Sequence, residues 1–279
     1  MPPARFGDPV VSPDGHQILF SRSDPETETP DIFLYDDVQR VASRVTTDPG
    51  VDVLPIWSSD ATRVIFRSNR NGPGDVYLTS LNGSRNEELL LRNAARKDPT
   101  DWSPDGRFIL YDNYDSNDPS RESDLWVLPL FGDRKPRPYQ REAFSAWGGR
   151  FSPDGRWVAY ASDEHSKEDV YIQAFPATGV SHRVSTQGGW QPAWRRDGRE
   201  LFYLAADGTL MAAAIGGHDD ILEVGAPAPL FRATLRSTLL RNHYDVAPNG
   251  DRFLINTPVQ DEAAAPITVV LNWPGTLRN

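Results

Sequence analysis

The turn Ser-Pro-Asp-Gly recurs along this chain at a nearly fixed interval, and that interval restricts the chain to a repeat architecture. It stands as Ser12-Pro13-Asp14-Gly15, Ser103-Pro104-Asp105-Gly106 and Ser152-Pro153-Asp154-Gly155. Altered copies read Ser58-Ser59-Asp60-Ala61, Arg195-Arg196-Asp197-Gly198 and Ala247-Pro248-Asn249-Gly250. Successive copies lie 43 to 52 residues apart, the length that a four-stranded propeller blade requires. Pro presets φ near about −65°, Asp bonds neighbouring N–H groups, and Gly takes the left-handed position that closes a hairpin. Each copy is therefore expected to join two antiparallel strands, with Gly106 and Gly155 at positive φ. Ala61 stands where Gly is expected, so strain or a turn of another type is predicted there.

The segments between turns read as strands. A run apolar on both faces follows each turn, as in Gln17-Ile18-Leu19-Phe20 and Trp157-Val158-Ala159-Tyr160. Such runs suit a strand packed between neighbouring blades. A second run opens on Asp in four units, at Asp31, Asp75, Asp124 and Asp169. A residue that recurs with the repeat is expected to be structural, bonding the loop backbone. A weaker strand follows. An inner strand with an aromatic anchor (Trp57, Trp102, Phe151, Trp194) then leads into the next turn. The best helical candidate, from Arg85 to Arg96, fits an outer strand better at Leu89-Leu90-Leu91.

These patterns predict an all-β, six-bladed propeller of four-stranded antiparallel blades in a single domain. Its units lie near 6–47, 53–93, 99–142, 147–187, 190–233 and 243–273. Counting strands, the last blade is expected to have three, because Pro274-Gly275 breaks the chain after the run from Ile267 to Trp273. Closure of the ring would then rest on apolar packing, and the open edge would need cover by a loop, an upstream segment or a partner.

Composition removes several functions. The net charge of −10 over 279 residues provides no electrostatic footprint for nucleic acid or anionic lipid. The absence of cysteine excludes thiol catalysis and Cys-based metal sites. No stretch approaches the roughly 18 apolar residues of a membrane span, so membrane insertion is not expected. Met1-Pro2-Pro3-Ala4-Arg5 does not read as a signal peptide. Gly-x-Ser-x-Gly, His-Glu-x-x-His, the phosphate-binding loop and the dinucleotide fingerprint are missing.

The turn, the Asp-Val-Tyr strand and the loop Ser162-Asp163-Glu164-His165 resemble the TolB-like (PD-repeat, WD-like) β-propellers over essentially the whole chain. The segments from Arg150 to Tyr160, Gln191 to Leu204 and Pro266 to Trp273 are similar to the C-terminal propeller of bacterial membrane-anchored Ser/Thr protein kinases. That resemblance implies a sensor or interaction module, an upstream kinase domain in a longer chain, and an extracytoplasmic or periplasmic location. The kinase motifs themselves are absent, so binding is implied rather than phosphoryl transfer.

The candidate site is the mouth of the central channel, lined by loops entering the inner strands: Asp52, Asp98, Trp147, Arg150, Trp190, Gln191, His243 and Tyr244. Trp147 and Trp190 adjoin Gly148-Gly149 and Gly188-Gly189, where aromatics stack on a ligand or pack between blades. The expected partner is a protein or peptide, or a small molecule; no catalytic residue, cofactor or metal is expected. One alternative is a metal-dependent lyase or hydrolase in the channel, since related uronate lyases assemble histidines there and His165 and His243 lie on suitable loops. A Ca²⁺ site in the acidic loop of Asp112, Asp115, Asp118, Glu122 and Asp124 is another, although its spacing departs from the EF-hand pattern. A purely structural scaffold is the third.

Overall fold

The computed structural model describes residues 5–83, 86–115, 123–140, 144–218, 221–235, 242–258 and 267–270. All regular structure among them is β. The first sheet comprises β1 (Phe6–Val11), β2 (Gln17–Ser23), β3 (Pro30–Asp36) and β4 (Val41–Arg44), paired in that order. The second comprises β5 (Asp52–Trp57), β6 (Arg63–Ser68), β7 (Asp75–Ser80) and β8 (Glu87–Leu91). The third has β9 (Arg96–Trp102), β10 (Phe108–Tyr114), β11 (Asp124–Pro129) and β12 (Arg137–Gln140). The fourth has β13 (Ala146–Phe151), β14 (Trp157–Ser162), β15 (Asp169–Ala174) and β16 (Ser181–Arg183). The fifth has β17 (Trp190–Trp194), β18 (Glu200–Leu204), β19 (Thr209–His218), β20 (Ile221–Val224) and β21 (Ala228–Arg232). The sixth has β22 (Tyr244–Val246), β23 (Phe253–Asn256) and β24 (Ile267–Val270). No helix of the described residues is long and apolar enough to cross a membrane.

Every repeated turn joins the first and second strands of its sheet. In the first, the Gly15 N–H donates to Ser12 O at 2.9 Å. The Ser12 hydroxyl accepts from Gln17 N at 2.9 Å and donates to Asp14 Oδ1, so a buried group uses both its capacities. The same set recurs at Ser58, Ser103 and Ser152. Gly106 and Gly155 have φ of 73° and 72°. Ala61 keeps the same turn at φ 56°, with its N–H on Ser58 O at 3.0 Å, so the strain alternative is the one realised. In the fifth and sixth sheets Arg195 and Ala247 replace Ser, and the hydroxyl bonds are lost while the backbone bond and the Gly at positive φ remain, with Asp197 Oδ1 still accepting from Arg199 N at 3.0 Å in the fifth.

Apolar clusters fill the interfaces between successive sheets. Leu19, Val64 and Phe66 join the first and second sheets, and Leu110, Phe151 and Tyr160 join the third and fourth. Pre-turn tryptophans add directed links: Trp57 Nε1 donates to Val10 O at 3.1 Å and Trp194 Nε1 to Arg150 O at 3.0 Å. Each indole thereby bonds the preceding sheet two residues ahead of its turn.

Three expectations need correction. The fifth sheet has five strands, because the long β19 pairs β21 with its first half and β20 with its second. The outer strand is interrupted at Gly225, whose N–H still reaches Ala214 O at 2.8 Å. Closure is the second. Strands β22 and β23 contact β1, and hydrogen bonds join them: Val11 N to Asp245 Oδ2 at 2.7 Å and Asn256 Nδ2 to Phe6 O at 2.9 Å. Polar side chains reaching main chain therefore contribute to a junction expected to be apolar. The third concerns the recurring aspartates, which bond cations and hydroxyls at and beyond the end of the outer strand as well as loop backbone. Asp169 takes Arg183, Ser185 Oγ at 2.7 Å and Gly188 N at 3.1 Å. Asp75 takes Arg92 Nε and the fully buried Lys97 Nζ, both at 3.1 Å. The last sheet has three strands among the described residues; residues 1–4 and 271–279, the other candidates for its edge, lie outside them.

Candidate functional site

The inner strand of a repeat unit has to bend where it faces the channel. In β1, β5, β13 and β17 the pairing with the second strand slips by a bulge. At that bulge Asp8, Leu54, Gly148 and Gln191 take φ of 50°, 57°, 66° and 51°. Each lies four residues before the first residue of its turn. A bulge re-aims the side chains beside it, and here it turns residues of four sheets toward one cavity. The sequence carries no Gly at three of these positions, so the bulges were not legible in it.

The cavity holds about 720 Å³. One wall is aromatic and polar, formed by Trp147, Arg150, Trp190, Gln191 and Tyr244 of the fourth to sixth sheets. The other carries Asp8, Arg67, Arg96 and Asp98 of the first three. Six of the eight expected residues therefore come together: Asp98, Trp147, Arg150, Trp190, Gln191 and Tyr244.

Asp52 and His243 do not line the cavity. Asp52 is fully buried and faces Arg70, whose Nη2 lies 3.1 Å from its Oδ2. Arg70 in turn stacks over Tyr77 at 4.5 Å. Asp52 is thus a strut inside the second sheet. His243 is buried behind the wall. Its N–H donates to Gln191 Oε1 at 3.0 Å, its Nδ1 lies 3.0 Å from Gln191 Nε2, and its ring meets Trp190 edge-on at 5.1 Å. The Tyr244 hydroxyl donates to Gln191 O at 2.8 Å. His243 and Tyr244 together fix Gln191 and Trp190 before any ligand arrives.

Below this layer lies a charged one of which sequence reasoning named only Asp98 and Arg150. Arg150 Nη2 donates to Asn242 Oδ1 at 3.0 Å, and its charge acts on Asp101 and Asp245. Burial raises both carboxyls, that of Asp101 to about 6. Asp101 Oδ2 accepts from Phe151 N at 2.7 Å, as Asp245 does from Val11 N. Both acids stand two residues before their turns and clasp the next inner strand. Their equal spacing from the turn was the available signal. Arg67 Nη1 and Arg96 Nη2 reach Asp98 at 2.8 and 3.1 Å, and Arg96 lies 4.0 Å over the Tyr114 ring.

The metal alternatives meet a different arrangement. His165 Nδ1 lies 2.7 Å from the Tyr171 hydroxyl, on which its ring stacks, while His243 is bound to Gln191. Of the acidic loop, Asp118 and Glu122 lie outside the described residues. Asp112 Oδ1 instead accepts from Gly148 N at 2.9 Å. Among the described residues no three His, Cys, Asp or Glu side chains converge as metal ligands.

Residues 3–121 match the PD40 family, the TolB beta propeller domain. The chain is 32% identical over 154 residues to the Tol-Pal system protein TolB of Wolinella succinogenes, covering 54% of this chain. It is 30% identical over 125 residues to that of Anaeromyxobacter dehalogenans, covering 45%. It spans 35% and 27% of the length of these two relatives. The crystal structure of TolB from Acinetobacter baumannii superposes with a TM-score of 0.72 at 16% identity, covering 92% of this chain and 62% of that one.

Proposed function

We propose that this TolB-like β-propeller is a single-domain, six-bladed, non-catalytic binding module that engages a protein or peptide, or a small molecule, at the mouth of its channel. The observation that carries the reading is the preorganised wall: Trp147 and Trp190, half-buried at equivalent positions of neighbouring sheets, on a cavity of about 720 Å³. Rigid aromatic surface of this kind contributes contact area at small entropic cost. The cavity volume falls in the range of ligand sites, and the buried His243 and Tyr244 suit a positioning role rather than a reacting one.

The six paired sheets, joined first to last through Asp245 and Asn256, support the count of six blades. The TolB relatives belong to the Tol-Pal system by name, which supports a protein partner and an extracytoplasmic location. The resemblance to kinase-linked propellers adds the prospect of an upstream kinase domain in a longer chain.

The test is retention of a binding partner by the wild-type protein against Trp147→Ala and Trp190→Ala, with thermal stability measured in parallel. Each variant is expected to lose at least about tenfold in affinity, the scale of an aromatic hot spot, while its melting temperature stays near that of the wild type. Undiminished affinity in both variants would overturn the reading.

A further inference from the structure

The cavity wall opposite the tryptophans is electrostatically incomplete. Asp8 is only 4% exposed. Its Oδ2 accepts from Ser21 Oγ at 3.1 Å, but Oδ1 is buried and has no hydrogen-bond partner. A buried carboxylate oxygen without a donor is costly. Arg67 and Arg96 hold Asp98 through their Nη atoms, while the buried Nε of each has no partner and the Arg67 charge acts on Asp8 from a distance. On the rim Glu168 adds a further, exposed carboxylate. Four carboxylates (Asp8, Asp98, Asp112 and Glu168) and three guanidiniums (Arg67, Arg96 and Arg150) line the cavity, in a protein that is already acidic.

We propose that the channel mouth recognises a cationic organic group, an ammonium or guanidinium such as a Lys or Arg side chain carries, with Asp8 as the acceptor and Trp147 and Trp190 as its aromatic wall. This rests on the mouth being the binding site. An N–H donor completes the Asp8 carboxylate, and the indole faces attract the same charge. Burial raises the Asp8 carboxyl from its ordinary value, and a bound cation favours the ionised form. Asp8 sits at φ 50°, a conformation that Asn also tolerates, so the carboxylate can be removed without disturbing the bulge.

The experiment is calorimetric titration of the whole chain with N-acetyl-arginine amide, N-acetyl-lysine amide, the neutral, unbranched N-acetyl-norleucine amide and N-acetyl-glutamate amide. The two cationic compounds are expected to bind at least about tenfold more tightly than the norleucine compound, and the glutamate compound more weakly still. Asp8→Asn should remove most of the cationic preference and leave norleucine binding unchanged. Should that variant fail to fold, Glu168→Gln, an exposed position, should reduce the preference about twofold. Equal or tighter binding of the norleucine or glutamate compound, lost in Trp147→Ala, would overturn the cation and leave the mouth intact. Cation binding that survives both Trp147→Ala and Trp190→Ala would overturn the cation seat and count against the mouth itself. Absence of heat with all four compounds would overturn the cation proposal alone, since partner retention is measured separately.

Discussion

At the turn end of the inner strands four sheets repeat one hydrogen-bond set almost atom for atom. At the mouth end, four residues earlier, the six sheets present Asp8, Leu54, Pro99, Gly148, Gln191 and His243, no two alike. The turn end answers a demand that every unit shares: to reverse the chain between two buried strands without leaving an N–H unpaired. The hydroxyls of Ser12, Ser58, Ser103 and Ser152 each accept a main-chain N–H at 2.9 Å. The mouth end shares a backbone bulge in four sheets but no side-chain demand, because five of these six residues line a cavity. Identical ends are thus the mark of folding chemistry in this molecule, and unlike ends the mark of recognition.

Substitutions at the turn end sharpen that contrast most. Ser152→Ala removes the acceptor for the buried Trp157 N–H and should cost about 2 kcal/mol, measured by urea unfolding; a neutral result would show that the repeated set is incidental. Gly155→Ala forces an alanine to φ 72° and should cost about 1 kcal/mol. Ala61→Gly relieves the same strain and should gain about 0.5 kcal/mol, which a rise in melting temperature would register.

The two ends should also differ in the sign of their pH dependence. Burial lifts Asp101, near the channel, to about 6. Its native pKa lies above the unfolded one, so the folded state holds the proton more tightly. Its contribution to stability is therefore full below about pH 4 and declines as pH rises through about 6. Asp60, at a turn, is lowered to about 2, chiefly by the Ser58 hydroxyl and also by Thr62. Its contribution is present above about pH 4 and is lost as pH falls towards 2. In thermal melts across pH, Asp101→Asn should flatten the slope between about 4 and 6 and Asp60→Asn the slope between about 2 and 4. The same window for both would break the comparison.

The turn end was legible in the sequence because its chemistry is local. Ser, Asp and Gly meet within four residues, so the motif, its strands and its positive φ follow from spacing alone. Trp147 and Trp190 were legible as well, since each adjoins a Gly-Gly pair, Trp147 before it and Trp190 after it, five residues ahead of the turn position in its unit. Asp52 was misplaced because a strand residue's direction depends on the bulge, and the bulge at Leu54 carries no glycine to announce it; His243 was misplaced because its bonds to Gln191 come from the neighbouring sheet, 52 residues away. Asp8, Arg67 and Arg96 were missed because they meet across three sheets. The closure bonds from Asp245 and Asn256 span more than two hundred residues, and nothing local specifies them.

Hydroxyl-radical footprinting of the whole chain, free and bound to its partner, tests the central claim most directly, because one measurement reads both ends at once. Protection is expected at Trp147, Trp190 and Tyr114, with Val38, Phe131 and Ile221 unchanged. Protection confined to Val38, Phe131 or Ile221, with the mouth tryptophans as reactive as before, would contradict it.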